Sequence, residues 1–328
     1  MSNEKNVKGL YIVVGESCQL SCPFCFNRFD ENFENNQSEL QDISKLVDMI
    51  YEFGPSSVTL IGGEPLLPRY INRVTTLVQE YYRDKRYKPI SWCISSNLFY
   101  KKLSHEQMYL LYLLQALSTD HIAIGSSYSV DRFSHNPKSY FNIWKKNMIK
   151  LDSLGIRVGV TLTLTDEQIH FSPITSLNVL KDAKAKSINV EREIKPMPNN
   201  DKEIKKAIEY YELSDSYMKQ LFELIPHDMN KQWDRFADAI RYKIPVFNNH
   251  CSQYISTIYP DKDGYKIRKG CVINQVGVDP QLWVDKVNKY KCIECKYYQY
   301  CKGDCECNRF ICSFPKQTID YVKKELSC

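Results

Sequence analysis

The chain has 328 residues, 43% of them hydrophobic and 25% charged, with a net charge of +5. This suits one large domain plus a smaller one of ordinary globular composition. Lys and Arg are too scattered to call for a nucleic-acid partner, and no apolar run reaches the roughly 18 residues of a membrane span. The start, Met1-Ser2-Asn3-Glu4-Lys5-Asn6, lacks the apolar core of a signal peptide.

Strand-like runs and helical periodicity alternate through the first 190 residues. Leu10–Val14 reads as a strand. Ser38–Phe53 reads as a helix with Leu40, Ile43, Val47 and Ile50 on one face and Ser38 as N-cap. Ser57–Ile61 is a strand, Tyr70–Tyr82 a helix and Ile90–Ser95 a strand. Ser104–Leu117 is a helix opened by a capping box of Ser104 and Gln107. Ile122–Ser126 is a strand, and Tyr140–Leu154 a helix stopped by Gly155. Arg157–Leu164 is a strand, Ser172 and Pro173 open the next helix, and Ser187–Val190 is the sixth strand. Six such pairs predict an α/β fold with a parallel sheet and right-handed crossovers. After the loop at Lys195–Asp201, charged helices are expected over Lys202–Leu213, Asp215–Leu224 and Asn230–Tyr242.

Two motifs carry chemistry. Cys18, Cys22 and Cys25 form C-x3-C-x2-C just after the first strand. Three thiolates leave one iron of a four-iron cluster open, which is the logic of a catalytic metal site. A zinc knuckle is the other reading, and it lacks a fourth Cys or His within range. The run Gly62-Gly63-Glu64-Pro65 follows the second strand. Its glycines permit close backbone approach and Glu64 offers a carboxylate to an ammonium. Thirteen cysteines, an odd count with metal-ligand spacings and no export signal, fit reduced thiolates in the cytoplasm.

Both motifs, each after a strand and about 40 residues apart, resemble the radical S-adenosylmethionine (radical SAM) superfamily. The resemblance implies a partial (β/α)6 barrel with chemistry at the C-terminal strand ends. It implies that Cys18, Cys22 and Cys25 hold a [4Fe-4S] cluster, and that Gly62, Gly63, Glu64 and Pro65 bind the methionine end of SAM. Phe24 falls where relatives place an aromatic near the adenine. Ser95 and Asn97 resemble a step near SAM, and Ser126 and Ser127 a ribose contact. For these four positions ordinary loop capping stays open as the alternative. The implied chemistry is reductive cleavage of SAM to a 5′-deoxyadenosyl radical, which abstracts hydrogen from a substrate carbon.

Nine cysteines lie in the last 78 residues. The block Cys292-x2-Cys295-x5-Cys301-x3-Cys305 resembles the SPASM subfamily, whose C-terminal extension carries two auxiliary [4Fe-4S] clusters. Cys251, Gly264 and Cys271 resemble the opening of that extension, with a longer gap after Gly264 than is usual there. By position, Cys292, Cys295, Cys301 and Cys312 would hold the outer cluster, followed by a helix at Lys316–Leu326. Cys251, Cys271 and Cys305 would hold the inner one. Its fourth ligand is either Cys307 or an iron left open to substrate. A zinc ribbon remains the alternative for this segment. Cys93 reads as a packed core thiol, and Cys328 has no assigned role.

The domains expected are 1–193 for the barrel, 194–247 for a helical bridge and 248–328 for the SPASM-like part. The resemblance implies an oxidoreductase or peptide maturase that modifies a ribosomally made peptide by a crosslink, thioether or other oxidative change. The alternative is a dehydrogenase or epimerase of a small molecule such as a sugar alcohol or aminoglycoside. Val272 after Cys271, where the sulfatase-maturing branch has an Asp, argues against that branch. An external donor of flavodoxin or ferredoxin type is expected. The first strand begins too early for the leader-binding module that many peptide crosslinkers carry before it, so either a separate leader-binding protein supplies that function or leader binding is dispensable.

Overall fold

The structure is a computed structural model that describes residues 9–25, 40–117, 123–193, 200–243, 246, 255–261, 264–269, 291–301 and 312–327. By internal packing the chain divides into two compact units. The first comprises residues 1–127, 133–159 and 251–276, the second residues 128–132, 160–250 and 277–328.

In the first unit β1 (Gly9–Val13), β2 (Ser57–Ile61), β3 (Ser91–Ser95) and β4 (Ile124–Tyr128) alternate with α1 (Ile43–Phe53), α2 (Pro68–Arg83) and α3 (His105–Leu117). The short α4 (Val130–Ser134) follows β4, and α5 (Tyr140–Ser153) belongs to this unit. Strands β1 to β4 pair in parallel and in sequence order, with Leu10 opposite Val58 and Ile12 opposite Leu60. Parallel neighbours cannot be joined by a tight turn, and the intervening helices supply the crossovers. Leu46, Val47 and Ile50 of α1 and Val74, Leu77 and Val78 of α2 are buried, as are Leu110, Leu111 and Leu114 of α3. Their spacing is the helical stripe that a sheet face requires.

Local signals set most boundaries. Ser104 and Gln107 form the reciprocal capping box expected of α3: the Ser104 N–H donates to Gln107 Oε1 (2.7 Å) and the Gln107 N–H to Ser104 Oγ (3.3 Å). Helix α1 starts later than expected, because Asp42 accepts from the Lys45 N–H (2.9 Å) and caps it there. The Ser38 cap proposed for it lies outside the described residues. Strand β4 runs two residues beyond the expected Ser126.

A hairpin of β7 (Ile255–Asp261) and β8 (Gly264–Lys269) was not read from the sequence. Strand β7 pairs in parallel with β1, and β8 antiparallel with β7. The order in this unit is β4-β3-β2-β1-β7-β8. Residues 255–269 therefore pack with the first unit, whereas the expected C-terminal part grouped them with the later cysteines. Strand β8 carries the exposed Lys266, a charge that discourages further pairing at a sheet edge.

The second unit contains most of β5 (Val158–Leu164), with α6 (Pro173–Asp182), β6 (Ser187–Arg192), α7 (Asp201–Leu224) and α8 (Trp233–Tyr242). Strands β5 and β6 are neighbours. Helix α6 is capped by Ser172, whose side chain accepts from the Thr175 N–H, with Pro173 at its first position. The two helices expected over Lys202–Leu224 are one. Ser214, at the expected break, is buried and turns its hydroxyl back onto the Tyr211 carbonyl (3.0 Å), which leaves the helix unbroken. The four-residue α9 (Tyr298–Cys301) and α10 (Lys316–Leu326) complete this unit. No helix among the described residues is long and apolar enough to cross a membrane.

Candidate active site

The loop leaving β1 is fastened to the turn leaving β2 by backbone bonds. The Val14 N–H donates to the Ile61 carbonyl (2.8 Å), the Gly63 N–H to that of Gly15 (2.9 Å), and the Glu64 N–H to that of Ser17 (2.9 Å). A Cβ on Gly63 would lie 2.2 Å from the Ser17 carbonyl oxygen and 2.4 Å from that of Glu16. Gly62 has φ of +146°, and a Cβ there would lie 2.3 Å from the Gly15 carbonyl oxygen. The glycines thus allow one backbone to lie against another, which is a different use from the approach to a ligand expected of them. On the other flank the Ser17 N–H donates to the Tyr70 hydroxyl (3.0 Å), and Arg69 to Ser17 Oγ (2.8 Å).

Glu64 is 1% exposed. Its carboxylate accepts from Ser96 Oγ (2.8 Å), the Leu66 N–H (3.1 Å) and the Asn97 N–H (2.6 Å). Burial raises its pKa, and these donors work against the rise. These bonds tie the β2 turn to the segment after β3.

Asn97 is a junction in that segment. Its Nδ2 donates to Cys18 Sγ (3.5 Å), and its Oδ1 accepts from the Phe99 N–H (2.8 Å) and from Gln19 Nε2 (3.3 Å). Its carbonyl accepts from the Tyr140 hydroxyl (2.9 Å). Cys18 Sγ also accepts from the Leu20 N–H (3.4 Å). Farther along the loop the Cys25 N–H donates to the Cys22 carbonyl (3.1 Å). Asn136, between α4 and α5, accepts from the Ser21 N–H (2.8 Å) and donates from Nδ2 to Cys22 Sγ (3.7 Å).

The structure thus brings Cys18, Cys22, Cys25, Gly62, Gly63, Glu64 and Asn97 together. Pro65 is buried beside Glu64, and Phe24 is half-buried next to Cys25. Ser95 is exposed at the end of β3, and its neighbour Ser96 makes the contact to Glu64. Ser126 is buried and accepts from the Trp144 indole N–H (3.0 Å), a buried donor that needs a partner. That bond engages its oxygen with the core. Ser127, next along β4, faces the opposite side and is half-buried. Sequence reasoning missed Gln19, Ser96, Tyr140 and Asn136, since each belongs to the site through contacts far apart in the chain.

The donor chemistry fits a metal cluster with a polar ligand beside it. Cys18 reaches the surface yet is backed by protein. Burial pushes its thiol up to about 11; the Leu20 N–H works against this, while Glu64, Cys22 and Cys25 add to it. A cationic metal group beside Cys18 would neutralise its thiolate. The Tyr100 hydroxyl is buried against the Glu64 carboxylate and Gln19; burial raises its pKa most, Glu64 and Cys18 add to the rise and Gln19 opposes it. Gln19, Tyr100 and Glu64 thus form a polar group beside Cys18.

In the second unit Cys292, Cys295, Cys301 and Cys312 line one cavity of about 90 Å³ with Tyr297, Tyr298, Phe314 and Lys316. All four cysteines are half-buried. The one-turn helix Cys292–Glu294 and α9 space the first three, and Cys312 precedes α10. Among the described residues no three His, Cys, Asp or Glu side chains converge closely enough for a single metal ion. Cys251, Cys271, Cys305, Cys307 and Cys328 lie outside the described residues. Cys93 is half-buried on β3, with its Sγ near the Ile94 carbonyl, as a packed thiol would be.

Residues 12–169 match the Radical SAM superfamily. Curated proteins gave no match. Among solved structures, native anSMEcpe with bound AdoMet and Cp18Cys peptide is similar at 14% identity and a TM-score of 0.64, over 97% of each chain. Native anSMEcpe with bound AdoMet is similar at 15% identity and 0.64, over 97% of this chain and 98% of that one. The same protein with AdoMet and Kp18Cys peptide gives 14% and 0.65, over 97% and 98%. At such identities the likeness is one of fold, and it extends along nearly the whole chain. The loop of three cysteines, the turn clasped to it and the superfamily match agree: the chain carries a radical SAM domain, spanning residues 12–169.

Proposed function

We propose that this enzyme uses a [4Fe-4S] cluster held by Cys18, Cys22 and Cys25, together with SAM, to modify a peptide oxidatively. When bound, the cluster and SAM supply one-electron cleavage of the sulfonium and hence hydrogen abstraction from a substrate carbon. The chain's own residues do the positioning. The β2 turn and Asn97 hold the cysteine loop from two sides, with Gly63 bonded to Gly15 and Asn97 to Cys18. Gln19 and Tyr100 set polar groups beside Cys18 where the amino-acid end of SAM would lie, while the Glu64 carboxylate fixes the backbone around it.

The observation that carries the reading is the three-thiol loop clasped to the glycine turn. The cavity shared by Cys292, Cys295, Cys301 and Cys312 supports an outer auxiliary cluster in a SPASM-like part. An inner cluster on Cys251, Cys271 and Cys305, with Cys307 or an open iron, belongs to the same proposal. A peptide substrate is supported by the peptides bound to the similar solved structures. Auxiliary clusters would accept the electron left on the substrate, so that a crosslink, a thioether or a dehydrogenation suits them. A cytoplasmic setting, a flavodoxin- or ferredoxin-type donor and a separate leader-binding protein complete the reading.

The test is anaerobic reconstitution with SAM, reductant and candidate peptides, followed by mass spectrometry. Release of 5′-deoxyadenosine with a peptide lighter by about two mass units supports oxidative modification. An unchanged mass with deuterium uptake indicates epimerisation instead. Iron-loaded protein that leaves SAM intact under reducing conditions overturns the proposal.

A further inference from the structure

Asn136 stands 114 residues beyond Cys22 and outside both sequence motifs, yet it makes two bonds to the cysteine loop. Its orientation is fixed by chemistry. The Ser21 backbone N–H can only donate, so Oδ1 must face it, and this turns Nδ2 toward Cys22 Sγ. Cys22 is 7% exposed, so water competes little for that sulfur. A hydrogen bond to a ligand sulfur stabilises the added negative charge of a reduced cluster, and such bonds are among the settings of iron–sulfur potentials.

We propose that Asn136 is a positioning residue that raises the reduction potential of the cluster on Cys18, Cys22 and Cys25 through its N–H donation to Cys22. The inference rests on the cluster assignment above and extends it to a residue that no motif marks. Asn97 makes the corresponding bond to Cys18, but its Oδ1 also accepts from Gln19 and from the Phe99 N–H, so its replacement would disturb several contacts at once. Asn136 offers the cleaner separation. Asn136→Asp keeps an acceptor for the Ser21 N–H and removes the donor to sulfur. Asn136→Leu removes both.

The test is an anaerobic redox titration of the reconstituted full chain, followed by electron paramagnetic resonance. The signal that changes on adding SAM identifies the cluster in question and separates it from any other. At a fixed solution potential the reduced-to-oxidised ratio is expected to fall roughly threefold to tenfold in both variants, with wild-type iron content. Wild-type midpoints in both variants would overturn the proposal and leave Asn136 as a loop brace. Failure of both variants to take up iron would also overturn it, assigning Asn136 to assembly. If the wild-type protein shows no SAM-responsive signal, it is the cluster assignment that fails, and that is known before any variant is compared.

Discussion

Gly63 shows how one residue couples two motifs. Its missing side chain is where the Ser17 and Glu16 carbonyl oxygens sit, and both are backbone atoms with little freedom to yield. Gly63→Ala is expected to cost roughly 1–3 kcal/mol of stability and to lower the iron retained after anaerobic purification. Denaturant midpoints and iron per chain measure the two effects. The cysteine triplet and the glycine turn were legible because each is a short run with its own spacing. The bonds from Ser96 and Asn97 to Glu64 were not, because only the fold brings the segment after β3 to the β2 turn. The bond from Trp144 to Ser126 was equally invisible, since it joins α5 to β4. Asn136 carried no signal at all, because an asparagine between two helices is ordinary until the fold sets it against Cys22.

Among the elements, caps and periodicity were the reliable guides. The capping box of α3 and the Ser172–Pro173 start of α6 are local chemistry, and they formed where expected. The β7–β8 hairpin was not legible, since a strand beside β1 is chosen by tertiary pairing rather than by local pattern. Helix α10 shows another device invisible in sequence. Its first turn has no capping side chain of its own. Asp215 of α7 serves instead, accepting from the Gln317 N–H (2.8 Å), the Thr318 N–H (3.1 Å) and Thr318 Oγ1 (2.9 Å). Burial raises the Asp215 pKa, and those donors with Arg192 oppose the rise. Asp215→Ala leaves the Gln317 and Thr318 N–H groups unanswered, while Thr318 Oγ1 keeps the Asp215 carbonyl, and is expected to cost about 2 kcal/mol, read as a lower urea midpoint.

For the whole molecule, the two groups of cysteines predict separable losses. Cys22→Ala is expected to abolish SAM cleavage, measured as 5′-deoxyadenosine. Cys295→Ala is expected to retain some cleavage while losing product and part of the iron. A Cys22 variant that cleaves SAM normally would show the cluster to be elsewhere. Superfamily and α/β class were readable because strands, helices and two motifs recur in a fixed order. The grouping of residues 255–269 with the first unit was not, because it depends on which strand a hairpin joins. The four-way bonding of Asn97 has a further consequence. Its side chain joins Cys18 to Gln19, while its backbone N–H and carbonyl hold the β2 turn and α5. On the proposed cluster assignment, metal at Cys18 is braced by several anchors and not by one loop alone. Iron release to a chelator should therefore be slow in the wild type and markedly faster in Asn97→Ala, with its rate tracking hydrogen exchange at the end of β3 rather than motion of the cysteine loop alone.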